Sequence, residues 1–129
     1  MTADLNQLHP DILPLCNRLL NDLAAKGYSV KVLTTYRSPA AEDALSSAVT
    51  SVTSKTSKHC FTLNGNPAAK AFDIGFFNAD GSYETNGADQ RYTDAGALWL
   101  SYAAQYPGLG LVWGGVWHKP HDPDHFQIA

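Results

Sequence analysis

The chain carries most of its histidines and their candidate acidic partners in two separated stretches. A fold that uses them together must lay the C-terminal residues against the middle of the chain. Three of the five histidines fall in His118-Lys-Pro-His-Asp-Pro-Asp-His125-Phe-Gln-Ile-Ala129, directly behind Trp113-Gly-Gly-Val-Trp117. A second set lies upstream at Ser57-Lys-His59 and Ala71-Phe-Asp73. Neutral imidazole and carboxylate suit Zn²⁺, whose catalytic sites take three protein ligands and leave a position for water. His59, Asp73 and His125 supply such a His₂Asp set. Asp122, three residues before His125 in a Pro-containing loop, remains available to take a proton from the water that zinc acidifies.

The remaining candidates compete poorly. His121 adjoins Asp122 and would need the chain to fold back sharply. His118 follows Trp117 and reads as a rim residue or substrate contact. Asp124 abuts His125 and, on an extended segment, should point away from the metal. Cys60 follows His59 directly and should face the opposite side for the same reason, whereas Cys16 reads as a small buried hydrophobe on a helix face. Nothing requires a disulfide between them, and nothing excludes one. His9, before Pro10, belongs to a helix start.

With 129 residues, 44% of them hydrophobic and 16% charged, the chain is expected to form one domain, residues 1–129, with a core of its own. The net charge of −3, with no cluster of Lys or Arg, argues against nucleic-acid binding and against an anionic membrane surface. The N-terminus has neither a basic start nor an apolar stretch and does not read as a signal peptide, so synthesis in the cytoplasm is expected. No run is long enough to span a membrane.

Apolar residues at three- and four-residue steps from Ile12 to Leu23 predict a helix over Pro10–Lys26, ended by Gly27, with Pro14 tolerated in its first turn. Tyr28–Thr35 alternates as a half-buried strand. Ser38-Pro39 opens a second helix to about Ala48, with Glu42 and Asp43 favouring its dipole. Val49–Lys58 reads as an exposed loop, Asn64–Pro67 as a turn, and Lys70–Phe77 as a strand. Asn78–Gly81 turns that strand into a short return, Ser82–Glu84. Thr93 is expected to cap a helix reaching Gln105, with Leu98, Trp99, Tyr102 and Ala103 inward. Leu109–Trp113 and His125–Ile128 are expected as short strands. The prediction is α+β: helices packed around a small, mainly antiparallel sheet in a single domain.

Thr35-Tyr-Arg-Ser38, Ser57-Lys-His59, Ala71-Phe-Asp73, Trp113-Gly-Gly115 and Asp122-Pro-Asp-His125-Phe-Gln127 together resemble the LAS-type zinc peptidases. These are the VanY-like D,D-carboxypeptidases and the L-alanyl-D-glutamate endopeptidases of phage endolysins and bacilli. The resemblance runs from Leu8 to Gln127. It implies that His59, Asp73 and His125 bind zinc, that Asp122 is the general base, and that Arg37 binds a substrate carboxylate or the developing oxyanion. Ser57 would orient the His59 ring, and Tyr36, Trp113 and Trp117 would wall the groove unless they belong to the core.

Two departures stand out. Thirteen residues, 60 to 72, separate His59 from Asp73, more than the family pattern has; Phe61–Pro67 reads as a lengthened hairpin tip near the substrate groove. Ala69 stands where the family has glycine. The resemblance implies a monomeric peptidoglycan stem-peptide hydrolase, preferring L-alanyl-D-glutamate. It would act at the cell wall after release by a separate membrane-permeabilising protein, in the manner of a phage endolysin. A D,D-carboxypeptidase or dipeptidase acting on terminal D-alanines is the alternative within the enzymes. A non-catalytic, zinc-stabilised wall-binding or phage structural module is the alternative outside them.

Overall fold

The computed structural model describes residues 3–48, 57–117 and 121–129. Its centre is a four-stranded antiparallel sheet built from β1 (Ser29–Thr34), β4 (Ala71–Phe77), β5 (Val112–Trp113) and β6 (His125–Gln127), in the order β1-β4-β6-β5. β2 (Thr62–Leu63) and β3 (Asn66–Pro67) pair separately as a small hairpin. The described residues also form three α-helices: α1 (Leu13–Ala25), α2 (Pro39–Ala48) and α3 (Gln90–Ala103). The expected α+β architecture is the one observed.

One face of the sheet is apolar. Val32, Phe72, Ile74, Phe76 and Phe126 point to it and meet Leu15, Cys16, Leu19 and Leu23 of α1 and Tyr92, Ala95, Trp99 and Tyr102 of α3. Phe72 lies parallel to Phe126 across the β4–β6 pair, and Trp99 meets both rings edge-on. Such buried aromatics dominate the packing of a small core. Because a strand alternates, β4 turns Ala71, Asp73 and Gly75 to the other face. A Cβ at Gly75 would come within 2.6 Å of the Tyr83 ring and 2.7 Å of Leu33, so both side chains would have to shift to admit one.

Several element ends differ from expectation. α1 begins at Leu13 rather than Pro10, because the amides of Ile12 and Leu13 turn back onto the His9 carbonyl before the helix proper starts. α3 begins three residues before Thr93: the Asp89 carboxylate accepts from the Arg91 amide at 3.0 Å and is the true cap, leaving Thr93 exposed inside the helix. β5 has two residues, because Pro107–Leu109 forms a 3₁₀ turn and Gly110 takes a left-handed conformation, φ 63°, before it. The residues between His59 and Asp73 form the β2–β3 hairpin, whose Asn64 and Gly65 have φ values of 54° and 81°. Positive φ at both central positions is what a tight hairpin turn of this hand demands. The Val49–Lys58 loop falls mostly outside the described residues. Among the described residues, no helix is long and apolar enough to cross a membrane.

Candidate metal centre

Strand register assembles the site. Asp73 of β4 lies directly opposite His125 of β6, so both side chains rise from the polar face of the sheet. His59 enters from a 3₁₀ turn, Lys58–Cys60, beside β4. Three contacts hold that turn: the Ser57 hydroxyl accepts from the His59 amide, the Arg37 amide donates to the His59 carbonyl, and the Lys70 amide donates to the Lys58 carbonyl. A bulge in β1 between Val32 and Thr34 ends with the Thr35 carbonyl 2.7 Å from His59 Nδ1. Bulges of this kind re-aim the chain beside functional sites.

His59 Nε2 lies 3.3 Å from Asp73 Oδ2, and His125 Nδ1 lies 3.0 Å from Asp73 Oδ1. Both imidazoles are buried, and their rings meet edge to face at 5.1 Å. A tetrahedral zinc with bonds near 2.1 Å needs ligand atoms roughly 3.4 Å apart, so this nitrogen and oxygen set fits the ion. Burial by itself would push the Asp73 carboxyl up, but hydrogen bonds from His125 and His59, with their charge, hold it well below the usual carboxylate range. Burial pulls the His125 imidazole down, and its bonds to Asp73 and Gln127 more than reverse that. The anion of Asp73 is therefore what gathers the two rings, and a metal cation meets the same field.

Asp122 stands at the rim. Its side chain is 39% exposed, with Oδ2 3.9 Å from His125 Nδ1. The Trp113-Gly-Gly motif sets this loop in place. The Trp113 indole donates to the Pro123 carbonyl at 2.7 Å, and the Asp122 amide donates to the Gly114 carbonyl at 3.1 Å. A Cβ on Gly114 would come within 2.2 Å of the Asp122 carbonyl, so glycine is needed for this approach. Trp117 packs against the His125 ring at 5.1 Å. A cavity of about 420 Å³ opens beside Asp122, between Tyr83, Tyr92, His121 and Asp124.

Two expectations need correction. Asp124 does not point away: its carboxylate shares a cluster with Asp73 and Asp122 whose atoms lie within 4.8 Å of one another. Residues 123 and 124 form a turn, so strand alternation does not apply to them. Burial, a hydrogen bond with Asp122 and repulsion from Asp73 and Asp122 push the Asp124 carboxyl up to about 9. Ser57 caps the backbone of the 3₁₀ turn; the Thr35 carbonyl, not Ser57, orients the His59 ring. Tyr36 is partly buried and packs against the hydrophobic core, one of the two places open to it.

His121 is exposed, with Nδ1 against the Trp117 carbonyl, and His9 accepts from the Asp11 amide at the start of α1. Cys16 and Cys60 are free thiols, and burial pushes that of Cys16 up to about 12. His118 lies outside the described residues.

Glu42 is the residue that pattern reading undervalued. It does lie in the first turn of α2, where an acid favours the dipole, but it is only 2% exposed. Both its oxygens receive Arg37, at 3.2 and 3.3 Å, and the other guanidinium nitrogen stands 3.7 Å from Asp73 Oδ2. Arg37 thus bridges a buried acid and the Asp73 carboxylate, which a lysine cannot do with one ammonium. Arg37→Lys is expected to keep fold and metal while lowering kcat/KM, approaching the roughly 10²-fold cost of losing an oxyanion donor. Steady-state kinetics with zinc content measured in parallel checks this, and unchanged kinetics would return Arg37 to a structural role.

No protein-family model matches the sequence, and no curated protein matches it. Among solved structures, the chain is similar to the L-Ala D-Glu endopeptidase ChiX of Serratia marcescens. The TM-score is 0.66 and the identity 24%, over 97% of this chain and 83% of that one. The two proteins share a fold.

Proposed function

We propose that this chain is a zinc-dependent peptidase that hydrolyses an amide of the peptidoglycan stem peptide, preferring L-alanyl-D-glutamate, in the manner of a phage endolysin. The observation that carries the reading is the meeting of His59, Asp73 and His125 in one buried cluster with Asp122 at its open rim. The fold shared with an L-Ala D-Glu endopeptidase supports the choice of bond.

His59, Asp73 and His125 would hold the ion. When bound, zinc supplies Lewis-acid polarisation and a water acidified to near neutrality. Asp122 takes the proton from the attacking water and returns it to the departing amine. Its partial exposure suits this role, because the carboxylate must meet substrate as well as water. Arg37, fixed by Glu42, offers a guanidinium to a substrate carboxylate or to the oxyanion. Trp117 covers one side of His125 and limits solvent there.

Mass spectrometry of the products from purified peptidoglycan tests the reading. Fragments with a new N-terminal D-glutamyl residue are expected, lost with a chelator and restored by Zn²⁺. Release of free D-alanine would instead support the carboxypeptidase, and wall binding without any cleavage would support a non-catalytic module.

A further inference from the structure

His125 and Gln127 stand two residues apart on β6, so strand alternation puts both on the face opposite Phe126. Gln127 lies across from Ala71 of β4 and Val112 of β5. Its Oε1 is 2.8 Å from His125 Nε2. A carbonyl oxygen only accepts, so this contact keeps a proton on Nε2, and the proton that Nδ1 shares with Asp73 is the one a cation would displace. Nδ1 is the nitrogen that faces Asp73. His59 is oriented the opposite way: the Thr35 carbonyl accepts from Nδ1–H, and Nε2 faces Asp73.

The difference follows from where each ring is attached. His59 sits on a 3₁₀ turn, within reach of a carbonyl freed by the β1 bulge. His125 sits on a strand paired on both sides, whose own carbonyls lie in the sheet plane and serve the ladders with β4 and β5. A partner above the sheet has to be a side chain, and the next one on that face is Gln127. A neutral amide holds the ring without adding charge beside Asp73, Asp122 and Asp124.

We propose that Gln127 is a positioning residue that selects the metal-binding nitrogen of His125, so that the ion is held through Nε2 of His59 and Nδ1 of His125. The inference rests on the metal reading given under Proposed function. Because the amide turned end for end would donate to Nε2 and reverse the tautomer, the test must identify the ligating nitrogen directly.

Long-range ¹H–¹⁵N correlation spectra of the zinc-loaded protein are expected to show His125 protonated at Nε2. Zinc on Nε2 overturns the proposal. Competition with a chromophoric chelator gives the affinities of two variants. Gln127→Met, of similar length but without an acceptor, should bind zinc about 10- to 100-fold more weakly. The Tm of its metal-free form should stay at the wild-type value. Gln127→Glu retains an acceptor and should restore wild-type affinity. Wild-type affinity in Gln127→Met, or equal loss in both variants, overturns the proposal; if Gln127→Met fails to fold, the wild-type spectrum decides. A wild-type protein that takes up no zinc sinks the metal reading and this inference together. Stem-peptide cleavage is not part of the readout, so failure of the substrate reading alone is distinguishable.

Discussion

His125→Ala is expected to release zinc and abolish measurable amide hydrolysis while leaving a folded protein. The loss in zinc affinity should exceed the roughly 10- to 100-fold seen when only a supporting partner of a ligand is removed, because the variant removes the ligand itself. His59→Ala should behave alike, since two remaining protein ligands seldom hold the ion. The fold should survive because both rings rise on the polar side of the sheet, away from Phe72, Trp99 and Phe126. Local cost is still expected: Asp73, with its side chain only 15% exposed, loses one of the two imidazoles that stabilise its anion. Elemental analysis for zinc, read beside circular dichroism, separates metal loss from unfolding. Full zinc occupancy in either variant would show that the ligand set is wrong.

How much of this could be read from residue order depends on which forces place each group. The helices and the long strands follow from local periodicity, and their arrangement came out as expected. The convergence of His59, Asp73 and His125 was legible as a set of suitable donors. The β4–β6 register that puts Asp73 opposite His125 was not, because pairing is decided by the packing of Phe72 and Phe126 on the far face. Contacts made by backbone atoms were hidden for a different reason. Thr35 orients His59 through its carbonyl, which every residue possesses, so no side-chain pattern announces it.

Glu42 was read only for its place in the first turn of α2, which is where it lies, and Asp124 by a local rule that tertiary structure overrode. An acid in the first turn of a helix is ordinarily exposed, yet Glu42 is buried because Arg37 supplies its counter-charge. Asp124 was placed by strand alternation that does not operate in the Pro123–Asp124 turn. Gln127 could have been found: a polar residue two positions from a candidate ligand on a strand shares its face, and ligating imidazoles need a partner for their second nitrogen.

Asp122→Asn is expected to leave zinc bound and to lower kcat by about 10²- to 10⁴-fold, the usual contribution of a positioned general base. The amide preserves the shape of the side chain but cannot accept a proton from water. The loop should not move, because Asp122 is held through its backbone: its amide donates to Gly114 and its carbonyl accepts from the His125 amide. Zinc content should be unchanged, because the carboxylate lies at the rim, 3.9 Å from His125 Nδ1, outside the proposed ligand set. Asp124 is the competing base, since its carboxylate belongs to the same acidic cluster. It is the poorer candidate on electrostatic grounds. Burial and two neighbouring carboxylates disfavour its charged form, which is the form a base needs. Asp124→Asn should therefore cost much less than Asp122→Asn in single-turnover assays at neutral pH. His121→Ala, which removes an exposed ring whose Nδ1 faces the Trp117 carbonyl, should cost least. If Asp124→Asn proves as damaging as Asp122→Asn while zinc stays bound, the base has been misassigned. If Asp122→Asn loses zinc, the rim carboxylate is a ligand and the water must be activated from elsewhere.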